Sequence, residues 1–378
     1  MTVQLRIGLI GSGFIGRCHA YAYRTMPLVF PNAAAMPVMA VLCDQTAELA
    51  ADAARRFGFA RSTGDWRRLV DDPDIDIVDI CVPSNLHRPI ALAAIAAGKH
   101  VYCEKPVGLG WPEAKEIADM AKAAGTRSLV GFTYLRAPAI AFARRLITEG
   151  AIGEVTHFRG QHNEDYLADP ASPFTWRCDP SIGGRAGALG DLGAHIISIA
   201  RHLMGEITAL SAHCRTVIPV RPVAAGSMVT QPVGNDDITQ MMVTFGTGAS
   251  GYLEASRIAS GSKMGIGFEI VGSHGAIRFD GERMNELQLY DGREPPSRAG
   301  FRTILINPQH PPYGNFIPAP GHGLGFNDLK IIEVNELMSA VLGDPSAGPD
   351  LTDAARISAI MDAAMASAAE RGWRDVLF

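Results

Sequence analysis

The sequence predicts an α/β domain with a doubly wound parallel sheet over residues 1–135. Residues 136–378 should then form an α+β domain with a large, mainly antiparallel open sheet. Three observations predict these folds. Apolar runs alternate with helical patterns through the first third of the chain, and a glycine-rich turn closes the first run. After Gly150 the pattern changes to short apolar runs joined by glycine turns, which is typical of antiparallel strands.

In the first domain, each strand is predicted from a short apolar run and each helix from the stretch that follows it. The predicted strands are Leu5–Ile10, Val38–Cys43, Ile75–Val82, His100–Cys103 and Ser128–Phe132. The predicted helices begin near Phe14 and cover Thr46–Phe57, Asp65–Asp71, Leu86–Ala97 and Glu113–Ala124. Because strand and helix alternate throughout, the sheet should be parallel.

In the second domain, strands follow one another, and Gly246–Ser250 and Gly272–Gly275 look like hairpin loops between them. The predicted strands are Val155–His162, Ile207–Val217, Ile238–Phe245, Gly251–Ile258, Phe268–Val271, Ala276–Phe279 and Leu287–Tyr290. Leu329–Leu342 and Thr352–Ala369 are predicted helices that should pack back across this sheet. Pro308–Gly325 is a long loop, which its length makes either a lid or disordered.

The composition, with 47% hydrophobic and 19% charged residues, is that of an ordinary globular protein. A net charge of −5 argues against a protein that binds nucleic acid through phosphate contacts. Glycines interrupt the apolar N-terminus and no apolar run approaches ~18 residues, so neither a signal peptide nor a membrane span is predicted. The six cysteines lack CxxC spacing and no HExxH motif occurs. We therefore expect reduced thiols, no metal site and a cytoplasmic location.

The glycine-rich turn Gly11–Gly16, GSGFIG, follows the first strand and opens the first helix. Alone, the GxGxxG pattern is a weak signal, but the strand before it and the helix after it make it specific. In a Rossmann domain the first glycine allows a tight turn, the second lets the backbone approach a pyrophosphate, and the third lets helix pack on strand. The helix N-terminus adds N–H groups for the phosphates. The pattern predicts a dinucleotide bound by Gly11, Gly13, Phe14, Ile15 and Gly16.

Asp44 ends the second predicted strand, where an acid can accept hydrogen bonds from the ribose hydroxyls of adenosine. The same charge repels a 2′-phosphate, and no arginine follows at once, so NAD is favoured over NADP. The structural alternative is that Asp44 is the N-cap of the next helix, and both roles are compatible. The interval from Gly16 is longer than the usual ~20 residues. An insertion around Pro27–Pro37 explains the excess.

Lys105 comes directly after a short buried strand, in the segment HVYCEKP. Ligands of a doubly wound sheet bind outside the carboxyl ends of its strands, so this ammonium should face the crevice that holds a nicotinamide. Ser84, Asn85 and His87 follow the preceding strand and should occupy the same rim. A solvated surface lysine is the structural alternative, but the buried strand and the following proline favour a function.

In these motifs the chain resembles the glucose–fructose oxidoreductase and inositol 2-dehydrogenase family of Rossmann-fold oxidoreductases. Its four motifs, in order, are a GxGxxG turn, Pro-x-x-x-His, Glu-Lys-Pro and Asp-x-Gly-x-His. In this chain they are Gly11–Gly16, Pro83–His87, Glu104–Pro106 and Asp191–His195, so the resemblance spans essentially the whole sequence. It implies that Lys105 reaches the substrate hydroxyl beside the nicotinamide and that the Lys105–Pro106 peptide is cis.

The expected cofactor is NAD, and its contacts extend beyond the glycine-rich turn and Asp44. The further cofactor-binding residues expected are Cys81, Pro83, Ser84, Asn85, His87, Glu104, Lys105, Trp176 and Arg177. Trp176 and Arg177 lie in the second domain, where they would cover the nicotinamide or bind a sugar hydroxyl.

Asp191 and His195 are four residues apart in a predicted helix, GDLGAHIISIARHLMG, so one helix face can present both to a substrate. The structural alternative makes Asp191 an N-cap and His195 a core histidine. The resemblance implies that both are catalytic together with Lys105. The family often has a further acid three residues after the histidine, whereas this chain has Ser198.

The expected chemistry is oxidation of a secondary alcohol. A positioned base must take the hydroxyl proton, and His195 or Lys105 can do so. Which of the two is the formal base stays open. Substrate contacts are expected from Lys105, Tyr134, Glu164, Arg177, Asp191, His195 and His322, with His322 acting within its own subunit or in a neighbour. Tyr134, Glu164, Arg177 and His322 lie outside the family motifs, and for each of them a purely structural role is the alternative.

Segments 65–76, 172–177 and 325–333 resemble a sub-branch of scyllo-inositol (L-glucose) and levoglucosan dehydrogenases. This implies an NAD-dependent dehydrogenase of a cyclic polyol or pyranose, of the scyllo- or myo-inositol or L-glucose type. The alternatives are a levoglucosan or other sugar 3-dehydrogenase, an NAD-retaining glycosidase or epimerase of the same fold, and a non-catalytic NAD-binding regulator. The open sheet face should be buried between subunits, so a homotetramer is expected.

Overall fold

The computed structural model describes residues 2–345 and 347–378. The chain forms two compact units. The first contains the residues up to Thr133 and the later segment Gly325–Arg356. The second contains Tyr134–Leu324 and Ile357–Phe378. The chain therefore returns to its first unit after building most of the second.

The first unit contains a six-stranded parallel sheet with the order β3-β2-β1-β4-β5-β6. Its strands are β1 (Val3–Ile10), β2 (Ala35–Cys43), β3 (Arg61–Thr63), β4 (Ile77–Ile80), β5 (His100–Cys103) and β6 (Ser128–Val130). Ile10 is in register with both Cys43 and Ile80, and Ile80 is in register with Cys103. The carboxyl ends of the four central strands therefore lie along one edge. The strand order reverses at β1, which is where such sheets bind ligands.

Helices connect these strands, as predicted. They are α1 (Phe14–Val29), α2 (Ala47–Phe57), α3 (Trp66–Val70), α4 (His87–Ala96) and α5 (Trp111–Ala124). The N-cap of α2 is Thr46, whose side chain accepts a hydrogen bond from the Leu49 N–H at 3.2 Å. The capping role considered for Asp44 thus belongs to Thr46.

The second unit contains a nine-stranded sheet with the order β16-β15-β14-β13-β7-β12-β11-β8-β17. The strands of this unit are β7 (Val155–Asn163), β8 (Ile207–Arg215), β9 (Val220–Pro222), β10 (Thr230–Pro232), β11 (Ile238–Phe245), β12 (Ser250–Ser256), β13 (Gly265–Gly272), β14 (Gly275–Asp280), β15 (Glu286–Asp291), β16 (Arg302–Leu305) and β17 (Arg374–Asp375). β9 and β10 form a separate hairpin. Over the part of the chain that the structure describes, β7 and β12 are the only parallel pair of the large sheet. The predicted fold class of both domains is confirmed.

Among the described residues, four helices lie wholly in the second unit: α6 (Pro138–Thr148), α7 (Pro180–Gly183), α8 (Ala194–Met204) and α9 (Tyr313–Phe316). A single π-helical turn, Leu189–Gly193, leads directly into α8. One face of the sheet forms the core, as in β13, where Ile266, Phe268 and Ile270 are buried. Glu269 and Val271 alternate with them on the opposite face.

The two late helices are α10 (Phe326–Val341) and α11 (Leu351–Glu370). α10 lies against α1 in the first unit, so the prediction that it packs across the second sheet is wrong. The apolar pattern of α10 predicts that this helix is buried. It does not predict which element the helix packs against, because the contacts of its charged side chains determine that. α11 contributes residues to both units. Among the described residues, no helix combines the length and apolar character that a membrane span requires.

Candidate active site

The glycine-rich turn leaves open space beside its backbone. A Cβ on Gly11, which has φ +99°, would lie 2.4 Å from the Cys81 carbonyl oxygen. A Cβ on Gly16 would lie 1.9 Å from the Gly11 carbonyl oxygen. Both positions therefore need glycine for close packing. At Gly13 an added Cβ would meet nothing within 4 Å. This open backbone at the start of α1, followed by Phe14 and Ile15, fits a dinucleotide phosphate.

Asp44 is tied to this turn. Its Oδ2 accepts hydrogen bonds from the Ser12 N–H at 2.9 Å and from the Ser12 hydroxyl, and its Oδ1 accepts from the Gln45 N–H at 2.7 Å. A carboxylate has about four acceptor positions. Oδ1 therefore keeps capacity for a ribose hydroxyl while the Ser12 contacts hold the side chain at the turn.

The predicted rim residues follow β4. Ser84 and Asn85 lie in a single 3-10 turn, Ser84–Leu86, which leads into α4. The buried His87 ring bridges two loops, with Nδ1 2.9 Å from the Pro106 carbonyl and Nε2 2.8 Å from the Val82 carbonyl. A neutral ring can donate to only one of these carbonyls at a time. Burial lowers the pKa of His87. His87 thus has a structural role in addition to its predicted one.

Cys81 continues from β4, and its carbonyl faces Gly11. Burial, with the neighbouring Asp79 carboxylate, raises the pKa of the Cys81 thiol well above its usual range. This thiol therefore stays protonated, which excludes it as a nucleophile. The cofactor contact predicted for Cys81 stays a prediction, and so does the one predicted for Pro83, which lies two residues further along the same rim.

The segment Glu104–Pro106 follows β5. The Lys105–Pro106 peptide is cis, which confirms the prediction. The Glu104 side chain is buried, and its Oε1 lies 2.6 Å from Lys330 Nζ and 3.1 Å from His19 Nε2. Its Oε2 accepts a hydrogen bond from the Lys105 N–H at 3.3 Å. The carboxylate thus points inward, and the contact of Glu104 with the cofactor stays a prediction.

Glu104 belongs to a buried polar network. Lys330 Nζ also lies 2.8 Å from Glu333 Oε2, which in turn accepts hydrogen bonds from Tyr102 at 2.6 Å and Thr133 at 3.2 Å. On the other side, His19 Nδ1 lies 2.9 Å from Asp79 Oδ2. The same oxygen accepts from the Tyr23 hydroxyl at 2.8 Å.

The charges of this network support one another. Burial raises the pKa of Glu104, but Lys330 and His19 outweigh it and hold that pKa well below its usual range. Burial lowers the pKa of Lys330, but Glu104 and Glu333 raise it more, so the ammonium is retained. Burial likewise lowers the pKa of His19, but the contacts with Asp79 and Glu104 together raise it more. Asp79, Glu104 and Glu333 therefore gather around Lys330 and His19 behind the end of β5.

In the second unit, Asp191 lies in the π-helical turn before α8. Its Oδ2 accepts a hydrogen bond from the Tyr166 hydroxyl at 2.7 Å and pairs with Arg177 Nε at 3.1 Å. Burial and the Asp191 carboxylate raise the pKa of Tyr166, so this phenol donates. The Arg177 guanidinium also lies over the Trp176 ring, 4.6 Å from its centroid. Asp191 is thus not an N-cap but the acceptor of a phenol and a guanidinium.

His195 lies in the first turn of α8 and is only 6% exposed. The Tyr134 ring contacts it edge to face, with centroids 4.7 Å apart, and contacts His162 at 5.5 Å. His162 Nδ1 donates to the Leu192 carbonyl at 3.1 Å, and its Nε2 lies 3.3 Å from Glu164 Oε1. Tyr134, Glu164 and His195 therefore gather in one cluster around His162.

A buried scaffold holds the start of this helix. Asp236 accepts hydrogen bonds from the N–H groups of Gly187 at 2.6 Å and Leu189 at 2.9 Å. Asn235 Nδ2 donates to the Arg177 carbonyl at 2.8 Å. Arg257, which is fully buried, pairs with Asp237 at 2.9 Å and donates to Asn235 Oδ1 at 3.0 Å. The tripeptide Asn235–Asp237 therefore holds both the segment that carries Arg177 and the segment that carries Asp191.

The structure brings the predicted residues together within each unit. Gly11–Gly16, Asp44, Cys81 and Glu104 share the sheet edge, and Asp191 meets Arg177 beside the Tyr134–Glu164–His195 cluster. His322 belongs to neither group: its ring Nδ1 lies 3.2 Å from the Pro320 carbonyl, and its N–H donates to the Tyr313 hydroxyl at 3.3 Å. Its predicted substrate contact stays a prediction.

Several site residues were not predicted. They are His19, Asp79, Lys330 and Glu333 in the first unit, and His162 and Tyr166 in the second. One signal was available: Lys330 and Glu333 interrupt an apolar helical run at a spacing of three. His162 likewise lies on the buried face of β7 with Phe158 and Gly160.

Two protein-family models match the chain: "Oxidoreductase family, NAD-binding Rossmann fold" over residues 5–132 and "GFO/IDH/MocA C-terminal domain" over residues 140–278. The chain is 44% identical, over 99% of its length and 98% of the relative, to levoglucosan dehydrogenase of Pseudarthrobacter phenanthrenivorans. It is 30% identical to scyllo-inositol 2-dehydrogenase (NAD(+)) of Bacillus subtilis, over 73% of this chain and 74% of the relative. The solved structure of a levoglucosan dehydrogenase with NADH and levoglucosan, 44% identical, matches with a TM-score of 0.94 over 99% of this chain and 100% of that one.

Proposed function

The chain belongs to the GFO/IDH/MocA family of NAD-binding oxidoreductases, and from this premise we propose that it oxidises a secondary hydroxyl of a pyranose, with levoglucosan as the leading substrate. That it is an NAD-dependent sugar or polyol dehydrogenase follows from the family and its named relatives. The observation that carries the finer proposal is 44% identity along 99% of the chain to a levoglucosan dehydrogenase. This moves levoglucosan ahead of the inositol or L-glucose substrates that the sequence favours.

The residues of the first unit fit NAD. The turn Gly11–Gly16 offers open backbone at Gly13 to the pyrophosphate, and Asp44 offers a carboxylate oxygen to the ribose. When bound, NAD supplies the acceptor for hydride from the carbinol carbon of the substrate. The remaining contacts proposed for the cofactor are those of Cys81, Pro83, Ser84, Asn85, His87, Glu104, Lys105, Trp176 and Arg177.

We propose that Lys105 and His195 meet on the oxygen of the reacting alcohol. The Lys105 ammonium would donate a hydrogen bond to that oxygen and stabilise the negative charge that develops on it. His195, as a neutral imidazole, would take the hydroxyl proton. Two features support this role: the Tyr134 ring contacts the His195 ring, and His195 lies in the first turn of α8. Both orient the imidazole, and a base must be oriented before it can accept a proton at a fixed position.

Asp191 is proposed to bind a neighbouring hydroxyl of the sugar. Tyr166 and Arg177 both contact its Oδ2, and these contacts would hold the carboxylate in a fixed position from which it can accept a hydrogen bond from a substrate hydroxyl. Glu164, Trp176 and Arg177 would supply further polar contacts or cover the ring, and His322 would approach from the long loop. A polyol requires several paired contacts of this kind, because an unmatched buried polar group costs binding energy.

The substrate is tested by assaying NADH formation with levoglucosan, L-glucose, D-glucose, scyllo-inositol and myo-inositol. We expect the largest kcat/KM with levoglucosan, because a relative that is 44% identical over 99% of the chain carries that name. A larger kcat/KM with an inositol would reject levoglucosan and keep the family assignment. Retention of NAD through purification, with no net NADH from any of these compounds, would instead favour the glycosidase or epimerase alternative.

Asp44→Asn is expected to lower kcat/KM for NAD about tenfold and to raise that for NADP. A hydrogen bond to a charged group contributes about 1.5–3 kcal/mol, and the neutral amide no longer repels a 2′-phosphate. Asp52→Asn is the matched control, because Asp52 pairs with Arg56 on the exposed side of α2. The measurement is the ratio of kcat/KM for the two cofactors. An unchanged ratio in Asp44→Asn would contradict the proposed contact.

The homotetramer stays a prediction. Its expected surface is the face of the large sheet opposite the core, where Met242 on β11 is 54% exposed. Tyr252 and Glu269 lie on the same face.

A further inference from the structure

We propose that Glu104 is a positioning residue for Lys105, held in place by Lys330 of α10 and His19 of α1. This inference rests on the proposed role of Lys105 in catalysis. Glu104 itself need not touch the substrate or the cofactor. Its function would be to hold the backbone from which the Lys105 side chain projects.

The geometry at Glu104 separates two tasks between its two oxygens. Oε1 lies between Lys330 Nζ, at 2.6 Å, and His19 Nε2, at 3.1 Å. Oε2 accepts the Lys105 N–H at 3.3 Å. One oxygen is therefore anchored by a buried ammonium and a buried imidazole, and the other accepts a hydrogen bond from the amide of the next residue.

The backbone after Lys105 is held as well. The Pro106 carbonyl lies 2.9 Å from Nδ1 of the buried His87 ring, whose Nε2 contacts the Val82 carbonyl. Lys105 thus lies between two fixed points, the amide on its N-terminal side and the proline carbonyl that follows. Such anchoring matters for a catalytic group, because a shift of about 1 Å at the reacting atoms costs up to about 100-fold in rate.

The residues around Glu104 confine its carboxylate to one position. A Cβ on Gly131 would lie 2.3 Å from Glu104 Oε1. Gly131 directly follows β6, and its φ lies outside the left-handed region, so the need for glycine there arises from space and not from the backbone. The carboxylate is therefore enclosed by Gly131, His19 and Lys330.

Stability alone does not require this arrangement. A buried ion pair is rarely more stabilising than apolar residues of the same size, because desolvation offsets the attraction. The network lies next to Lys105, and its central cation comes from a helix 226 residues further along the chain. A positioning role explains why charged groups occupy this place in the core.

Two variants test the proposal. Glu104→Gln keeps the shape of the side chain, but its amide group cannot satisfy Lys330, His19 and the Lys105 N–H at once. Lys330→Met with Glu333→Gln removes one positive and one negative charge, so the net charge of the network is unchanged while Glu104 loses its ammonium partner. The control is Lys115→Met with Asp119→Asn, an exposed pair on α5 at 2.6 Å.

Both test variants are expected to lower kcat with levoglucosan and NAD about 10- to 100-fold, with KM for NAD changed less than about threefold. If levoglucosan is not the substrate, the compound that ranks first in the substrate assay takes its place. The control should keep the kcat of the native protein. Titration with NADH provides a further readout. Phe326 of α10 stacks on Phe14 of the glycine-rich turn, with centroids 6.1 Å apart, so a displaced α10 would also weaken NADH binding.

Unchanged NADH affinity with reduced kcat therefore assigns the loss to Lys105. Normal kcat in either folded test variant would overturn the positioning role, and so would a loss of kcat that only accompanies weaker NADH binding. Lys105→Met is measured in parallel to keep the two proposals apart. If Lys105→Met itself has normal kcat, the proposed function of Lys105 fails, whereas a slow Lys105→Met with a normal Glu104→Gln rejects only the present inference.

Discussion

Lys105→Met is expected to lower kcat by a factor on the order of 10² to 10⁴ and to leave the affinity for NADH nearly unchanged. Methionine keeps the length of the side chain but removes the ammonium that would hydrogen-bond the alcohol oxygen as its proton leaves. Lys105 is only one of many expected cofactor contacts, and the variant keeps the glycine-rich turn and the Asp44 contacts, so the affinity for NADH should change little. Steady-state NADH formation and NADH fluorescence titration measure the two quantities.

His195→Ala is expected to have a loss of the same order, since an imidazole that takes the proton cannot be replaced by a methyl group. Lys115→Met, which removes an ammonium from the exposed face of α5, provides the control for charge alone. If Lys105→Met and His195→Ala both kept near-native kcat, the proposed pair would not be the proton-transfer machinery. A large loss in only one of them would identify that residue as the dominant base.

Arg257→Met is expected to lower the free energy of unfolding by about 3–5 kcal/mol. The Arg257 and Asp237 side chains are both fully buried, with Nε and Oδ1 2.9 Å apart. Removing the guanidinium leaves a buried carboxylate whose other contacts are the N–H groups of Val217 and Ile218, each at 2.8 Å. It also removes the hydrogen bond to Asn235 and with it part of the support for the segment that carries Arg177.

The free energies of unfolding of Arg257→Met and of the control variant Lys115→Met are measured by denaturant unfolding and compared with that of the native protein. Lys115 forms an exposed pair with Asp119, and loss of such a pair costs about 0–1 kcal/mol. Equal losses in the two variants would show that the Arg257–Asp237 pair contributes no more than a surface pair. A smaller loss in Arg257→Met combined with Asp237→Asn would indicate that the unpaired carboxylate is the main cost.

The regular elements of both units are predictable where an apolar run marks them. The bounds of β5 and β11 agree with the sequence prediction to the residue. β5 is a short buried run before Glu104, and in β11 buried residues alternate with more exposed ones. β3 was missed because it is a three-residue edge strand, Arg61–Thr63, whose first two residues are exposed. β16, another exposed edge strand, was missed for the same reason. An edge strand requires no apolar face, so periodicity cannot reveal it.

The site was predictable only as far as its residues belong to motifs. Gly11–Gly16 and the Lys105–Pro106 peptide have the geometry that the motifs imply. The partners of Glu104 were not predictable, because Lys330 is 226 residues away and nothing in either local sequence specifies the other. His162 was missed because a histidine on the buried face of a strand is indistinguishable in sequence from an ordinary core residue. The meeting of Lys105 with His195 remains a prediction.

The division of the chain has a consequence for biosynthesis. All six strands of the first unit leave the ribosome before Lys330 has been translated, so Glu104 then lacks its ammonium partner and α1 lacks the helix that covers it. The nucleotide-binding unit therefore cannot reach its final state as an N-terminal domain that folds first. Its completion waits for nearly the entire polypeptide, and a nascent chain stalled before Gly325 would expose this incomplete core to chaperones.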